Sequence, residues 1–475
     1  MKDAGGTALS ANHAWSLTTG AADPASVSPA LSATAVALNT TVSVVFSSAM
    51  TESSFDGNMT LADGNGTAIA GTTSYSSATK TLTFTPTSVL GYLTTYTAAL
   101  KTGIKDSNGY AIFSSNYTWT FTTTGVTADA SKVTGGTVFT CGIKSDGTLY
   151  CWGKNDVGQV GRGDTVTPQK TPRLVTGASW SSVSAGDAHA CAIRTNGDLY
   201  CWGYNADGEL GTDAPNENDT PVLTGSGYSF VSTGYQHTCG IKTDGTLLCW
   251  GDNTNNQLGG GSNPQNTPIQ IGAETTWVIV SSGENHTCAI RTNGALYCWG
   301  DNSSGQCGDP ALGGSVTTPQ RVGTDSDWAH VSAGSSYTCA VKSNGNGYCW
   351  GAGTNGRLGN GTTDQKTSPT ALSVASGWSK IAAKNVHTCG IKTDGSIYCW
   401  GNDTNGRLGD NATTQQASPT APTDPSGWAS IVVGGDQSCA IKSQGNAFYC
   451  WGANGSGELG DGTQIEEKQP TLINF

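Results

Sequence analysis

The chain has 475 residues, 15 of them cysteine, with 12% charged residues and a net charge of −12. That acidic balance, without any Lys/Arg run, argues against nucleic acid or an anionic membrane as partner. No apolar window of about 18 residues predicts a spanning helix, and the abundance of Gly, Ser, Thr and Asn suits short strands and turns.

The first stretch repeats itself. KDAGGTALSANHAWSLTTG, residues 2–20, returns as KDSNGYAIFSSNYTWTFTTTG, residues 105–125. Residues 1–20 therefore read as the tail of a truncated domain and 21–125 as a full copy. The chain thus reads as starting inside a longer parent, so a missing leader says nothing about secretion. Alternating strands are expected around Val42–Phe46, Thr81–Thr85 and Tyr96–Leu100, with a turn at Asp63–Gly66. Several short strands at that spacing in about 100 residues predict a β-sandwich.

From 126 to 475 the pattern changes. Cysteines pair by position: Cys141 with Cys151, Cys191 with Cys201, Cys239 with Cys249, Cys288 with Cys298, Cys339 with Cys349, Cys389 with Cys399 and Cys439 with Cys450, first members standing 48 to 51 residues apart. Each pair brackets a triplet ending in Gly, such as Thr195-Asn196-Gly197, and each second cysteine precedes Trp-Gly. A three-residue hairpin loop with Gly in the left-handed position sets Cys191 opposite Cys201, where Cα atoms at a non-hydrogen-bonded site lie about 4.5 Å apart. That is disulfide geometry, and the spacing is too long for a zinc hairpin. The last pair holds one more residue near Asn446–Phe448, where a bulge is expected. Four short strands per unit of about 50 residues, seven times over, predict propeller blades. The fold class expected is all-β: a seven-bladed β-propeller, 126–475, after an Ig-like β-sandwich, 21–125.

Fourteen positionally paired cysteines indicate an oxidising compartment. The fifteenth, Cys307, stands where sister units carry Val160, Leu210, Leu258, Leu358, Leu408 and Leu459, and reads as an inert core substitute with a free thiol. Recurrent tryptophans, such as Trp180 before the small-residue strand and Trp202 after the cysteine, read as packing between blades.

Two family resemblances follow from these motifs. VSAGDAHACAIRTNGDLYCWGYNADGELG, with its Ala-Gly-x-x-His, Asp-Gly-type turn, Trp-Gly and Gly-x-Leu-Gly in order, resembles the repeat of the regulator of chromosome condensation family, and all seven units share it. The resemblance implies a seven-bladed propeller with a binding rim. The family's best-known activity is guanine-nucleotide exchange on a small nuclear GTPase; the cysteine pairs instead resemble bacterial extracellular versions. Residues 21–125, with Phe46-Ser-Ser-Ala-Met50 and a Trp-x-Phe-Thr-Thr ending at Thr123, resemble bacterial Ig-like domains of surface and adhesin proteins.

The candidate site is the rim of one propeller face. Two positions before the first cysteines lie Phe139, His189, His237, His286, Tyr337, His387 and Gln437; two positions earlier lie Thr137, Asp187, Tyr235, Glu284, Ser335, Asn385 and Gly435, with Asp436 beside the last. Varied aromatic and ionisable side chains on a rigid scaffold are typical binding anchors. The plainer reading of each histidine is a hydrogen bond to its own blade's turn. Neighbouring blades would hold the histidines too far apart to share a metal ion. Asp/Asn-rich loops, such as Asn205-Ala-Asp207, Asp301-Asn302 and Asn402-Asp403, read as Asx turns rather than calcium sites. No nucleophile elbow, His-Glu-x-x-His or carboxylate dyad is evident, so no catalytic residue, metal or cofactor is assigned.

The expectation is a non-catalytic extracellular binding or adhesion protein. Its propeller rim recognises a protein or cell-surface glycan, with tandem Ig-like domains as a stalk and no insertion into a membrane. The alternatives are a secreted enzyme inhibitor using the same rim, or a hydrolase or lyase with a site in the central channel.

Overall fold

The computed structural model describes residues 24–91, 94–123, 132–177, 179–213, 215–444 and 447–473. The tail expected at 1–20 lies outside them. The chain divides into two compact units, one ending at Thr124 and the other built from Gly125 onward, with 91–93 grouped with the second.

In the first unit, alternation of apolar and polar residues builds two four-stranded sheets. One joins Pro24–Ser28, Val42–Phe46, Thr81–Pro86 and Gly71–Ser76; the other joins Ala33–Val36, Tyr117–Thr123, Thr95–Leu100 and Met59–Ala62. Val42, Val44, Phe46, Leu82 and Phe84 from one sheet share a core with Tyr96, Ala98, Trp119 and Phe121 from the other. The buried Trp119 indole donates to Pro29 O at 3.1 Å, which satisfies its one polar atom.

The second unit is seven consecutive four-stranded antiparallel sheets, one per sequence repeat. In the second repeat the order is Trp180–Ala185, His189–Arg194, Leu199–Tyr204 and Glu217–Gly225. The hairpin has the predicted register: Cys191 opposes Cys201, and Gly197, at φ +84°, closes the turn by donating to Arg194 O at 2.9 Å. The same register recurs in every repeat, and all seven expected disulfides form between directly opposed cysteines. Cys141 is bonded to Cys151, Cys191 to Cys201, Cys239 to Cys249, Cys288 to Cys298, Cys339 to Cys349, Cys389 to Cys399 and Cys439 to Cys450. Their Cα atoms lie 4.0–4.1 Å apart, closer than the roughly 4.5 Å expected of an unbridged opposed pair. The bulge expected near Asn446–Phe448 is not found among the described residues, which leave out Asn446. Register runs unbroken from Gln437↔Gly452 to Ile441↔Phe448, and Lys442 N–H donates to Ala447 O. The extra residue therefore lengthens the turn, where it costs no ladder bond, rather than bulging a strand.

Each sheet buries a face against the next. Trp152, Trp202, Trp250, Trp299, Trp350, Trp400 and Trp451 are fully buried, and each indole donates across a joint. Trp250 reaches Glu209 O in the preceding repeat at 2.8 Å, and Trp152 of the first repeat reaches Glu458 O of the seventh at 2.9 Å. Trp180, Trp277, Trp328, Trp378 and Trp428 are buried within their own sheets, each packed edge-on against a tyrosine. Both tryptophan sets are thus core. Cys307 is buried beside them, and burial pushes its thiol up to about 12.

Candidate binding face and central channel

The innermost strands of the repeats end in a common pattern, small-small-Gly, as in Ser184-Ala185-Gly186 and Ser281-Ser282-Gly283. These strands surround a central cavity of about 280 Å³. The glycines are demanded by contact: a Cβ on Gly234 would stand 2.4 Å from His237 Cε1 and 2.5 Å from Gly283 O. The backbone beyond them links one repeat to the next. Tyr235 N–H donates to Gly283 O, Glu284 N–H to Gly334 O, and Gly435 N–H of the last repeat to Gly136 O of the first, at 3.0–3.1 Å.

The residues predicted for the rim separate into two groups. His189, His237, His286, Tyr337, His387 and Gln437 are at most 1% exposed, so their expected presentation on a rim is corrected. Nor do the histidines bond their own turns. Each Nε2 meets a hydroxyl of the following repeat: His189 with Thr238, His237 with Thr287, His286 with Thr338 and His387 with Ser438, at 2.8–2.9 Å. Those hydroxyls already donate to carbonyls of the histidine's own repeat, Glu209 O, Gln257 O, Gln306 O and Arg407 O. The proton between ring and hydroxyl must therefore be the ring's, which fixes neutral imidazoles protonated on Nε2. Burial holds them neutral, with pKa values lowered to about 3 for His189 and His237, about 4 for His286, and well below the usual range for His387.

Tyr337 does the same work toward Thr388 at 2.9 Å, and Gln437 toward Thr140 and Phe139 O across the last joint. The remaining joint pairs Phe139, which has no polar atom to offer, with Ala190, which has no hydroxyl. Six joints are hydrogen-bonded through side chains at this position and one is apolar.

The second group lies at the mouth of the cavity. Asp187, Glu284 and Asn385 are half-buried and line it; Tyr235 lines it too and is 43% exposed. Asp187, foremost, then burial and Glu284 raise the Tyr235 phenol above its usual pKa. Glu284 accepts a hydrogen bond from the Ser335 hydroxyl. Asp436 is half-buried and paired with Arg407 at 2.6 Å.

Sequence reasoning missed one residue here. Lys384 occupies the ring position that is Gly136, Gly186, Gly234, Gly283, Gly334 and Gly434 in the other repeats. Its Nζ crosses the channel and donates to Gly135 O and Ala185 O, each at 2.7 Å. Burial pushes its amine down to about 8, against an opposing pull from Asp187. The signal was in the repeat alignment: one lysine in a column of glycines.

The RCC1-like domain model matches residues 115–425 and 228–475. The chain belongs to the RCC1-like domain family. The RCC1-like region is preceded by a match to the bacterial Ig-like domain model over residues 22–123. Among solved structures, Prp20p from Saccharomyces cerevisiae is 20% identical with a TM-score of 0.62, over 70% of this chain and 87% of that one. Human WBSCR16 is 19% identical with a TM-score of 0.62, over 69% of this chain and 95% of that one. At such identities the likeness shows an RCC1-type propeller fold and no more. The Prp20p structure is described together with that protein's binding to Gsp1p and histones. A search of curated proteins finds no match. The disulfides and the Ig-like match fit an extracellular location, and no helix among the described residues is long and apolar enough to cross a membrane.

Proposed function

We propose that the RCC1-like region is a closed seven-bladed propeller, and that the chain is a non-catalytic extracellular recognition protein. The Ig-like region, a β-sandwich, serves as part of a stalk in a longer surface protein. The partner is a protein or surface glycan met by the channel-mouth face. One observation carries this reading: Tyr235 stands exposed at the mouth of the cavity that Asp187 and Glu284 also line, on a scaffold pinned by a disulfide in every repeat. An aromatic that is ordered but uncovered, beside polar groups lining the same mouth, contributes binding energy with little ordering cost.

The test is a binding screen of the full chain against cells, matrix proteins and a glycan array, repeated with Tyr235→Ala and with Asp187→Asn plus Glu284→Gln. A captured partner should lose about tenfold or more in affinity with either variant. Unchanged affinity in both would show that this face is not the one used.

A further inference from the structure

The loop after each Trp-Gly carries Asn155, Asn205, Asn253, Asn302, Gly353, Asp403 and Asn454 in equivalent places. In five of the seven the residue is asparagine, and its amide does two things. Its Oδ1 accepts from the backbone of the core residue five positions on, as Asn253 does from Leu258 at 3.1 Å and Asn454 from Leu459 at 3.1 Å. Its Nδ2 supplies hydrogens to oxygens that converge from the loop: Asp164 O and Val166 O for Asn155, Gly260 O and Ser262 O for Asn253, Gly313 O for Asn302, and Ile465 O with Asp461 Oδ1 for Asn454.

The sixth repeat breaks this chemistry. Asp403 keeps the first half, accepting from Leu408 N at 3.0 Å. Where its sisters hold an NH₂ group it has a second oxygen, with no hydrogen to give. Asp403 is 1% exposed, and its Oδ2 is buried without a hydrogen-bond partner. Asp410, the counterpart of Asp461, brings its carboxyl within hydrogen-bonding reach, so carboxylate meets carboxylate where the seventh repeat has amide meeting carboxylate. Arg407 is close, but its guanidinium is engaged by Thr404 O at 2.8 Å and Asp436 at 2.6 Å. A buried carboxylate oxygen facing a second carboxylate needs a positive centre between the two.

We propose that in the sixth repeat a calcium ion replaces the asparagine amide, held by the carboxylates of Asp403 and Asp410 and by carbonyls of the loop that follows. Two carboxylates balance a divalent charge, and carbonyls in an irregular loop suit calcium's flexible, all-oxygen shell better than magnesium's strict octahedron. The carbonyl eleven residues after the asparagine is a partner in three sister loops, Val166, Gly313 and Ile465; its counterpart here is Thr414. Among the described residues no three His, Cys, Asp or Glu side chains gather to hold a metal, and this site differs in drawing its remaining ligands from the backbone. The inference stands apart from the binding face. Asn402 forms the Asx turn expected of that loop, its Oδ1 accepting from Thr404 N at 2.8 Å, and the proposed ion adds to that turn at Asp403.

The experiment compares the full chain with Asp403→Asn, which restores the residue of five sister repeats, and with Asp410→Asn. Terbium added to wild type should give luminescence sensitised by tryptophan and displaced by calcium, and both variants should lose it. Calcium at millimolar concentration should raise the wild-type melting temperature by about 2 °C or more over the value in EDTA, and leave Asp403→Asn unmoved. In EDTA that variant should melt at or above wild type, because it regains its donors. A wild type without terbium signal or calcium shift overturns the proposal and leaves a proton shared by the two carboxyls as the positive centre. A calcium response retained in Asp403→Asn also overturns it, placing the ion elsewhere.

Discussion

The buried histidines give the chain a specific acid sensitivity. Above pH 6.5 both folded and unfolded states hold neutral imidazoles, and protonation contributes nothing. Below it the unfolded chain binds protons that the folded joints refuse, because the folded pKa is depressed to about 3 for His189 and His237 and about 4 for His286. Stability must then fall as pH drops from about 6.5 toward 4. For a folded pKa of about 3, the loss at pH 5 is about 2 kcal/mol per histidine, with a slope near 1.4 kcal/mol per pH unit. One group runs the opposite way: burial lifts Glu209 to about 7, so this carboxyl takes up a proton more readily when folded and offsets part of the loss. The decisive quantity is therefore a difference between variants. His237→Gln copies the residue the seventh repeat already uses, Gln437, and removes one titrating group while keeping a donor to Thr287. Urea unfolding followed by tryptophan fluorescence at pH 7.5 and pH 5.0 should show the variant losing about 2 kcal/mol less than wild type between the two. Equal losses would refute the buried neutral imidazole.

Three further outcomes follow from the joints and staples. Thr287→Ala should cost about 1–3 kcal/mol by stranding the His237 Nε2–H in a buried site, and His237→Phe added to it should recover most of that, since the pair then matches Phe139 with Ala190; urea melts in a double-mutant cycle measure it. Unreduced protein should react with a thiol reagent at one cysteine, Cys307, only after unfolding, read by intact mass; reaction of the folded form would mean the thiol is not buried. Replacing Cys239 and Cys249 together by serine should cost at most about 2–3 kcal/mol in the same melts, because the loop closed is short and its turn already favoured.

Much of the architecture was legible because each repeat carries its own instructions. The Gly197-type turn fixes register, register fixes which cysteines meet, and a buried Trp-Gly marks the strand that follows. That is why Cys141 with Cys151, Cys288 with Cys298, Cys339 with Cys349 and Cys389 with Cys399 could be paired from spacing alone. The extra residue before Cys450 was misplaced because spacing counts residues without saying whether strand or turn absorbs them, and a turn yields more cheaply than a ladder. The rim was half legible. Tyr235 lies in the bend before the strand that His237 opens, and nothing within one repeat says that one faces solvent while the other faces the neighbouring sheet.

What decides between those two fates is a pairing across repeats. Reading each ring residue against the residue one place before the next repeat's first cysteine gives Phe139 with Ala190, His189 with Thr238, His237 with Thr287, His286 with Thr338, Tyr337 with Thr388, His387 with Ser438 and Gln437 with Thr140. A donor-bearing side chain stands opposite a hydroxyl six times, and the one side chain without a polar atom stands opposite alanine. A residue presented to solvent has no reason to match a partner about 50 positions away, whereas one buried at a joint must, because an unpaired polar atom there costs about 1–3 kcal/mol. The residues two places earlier do not repeat one pairing: Ser335 donates to Glu284 and Asn385 Nδ2 reaches Gly435 O and Asp436 across repeats, while Tyr235 stays exposed. With no single pairing to satisfy at every joint, that column is free to differ from repeat to repeat, and this is the physical reason to look for recognition there.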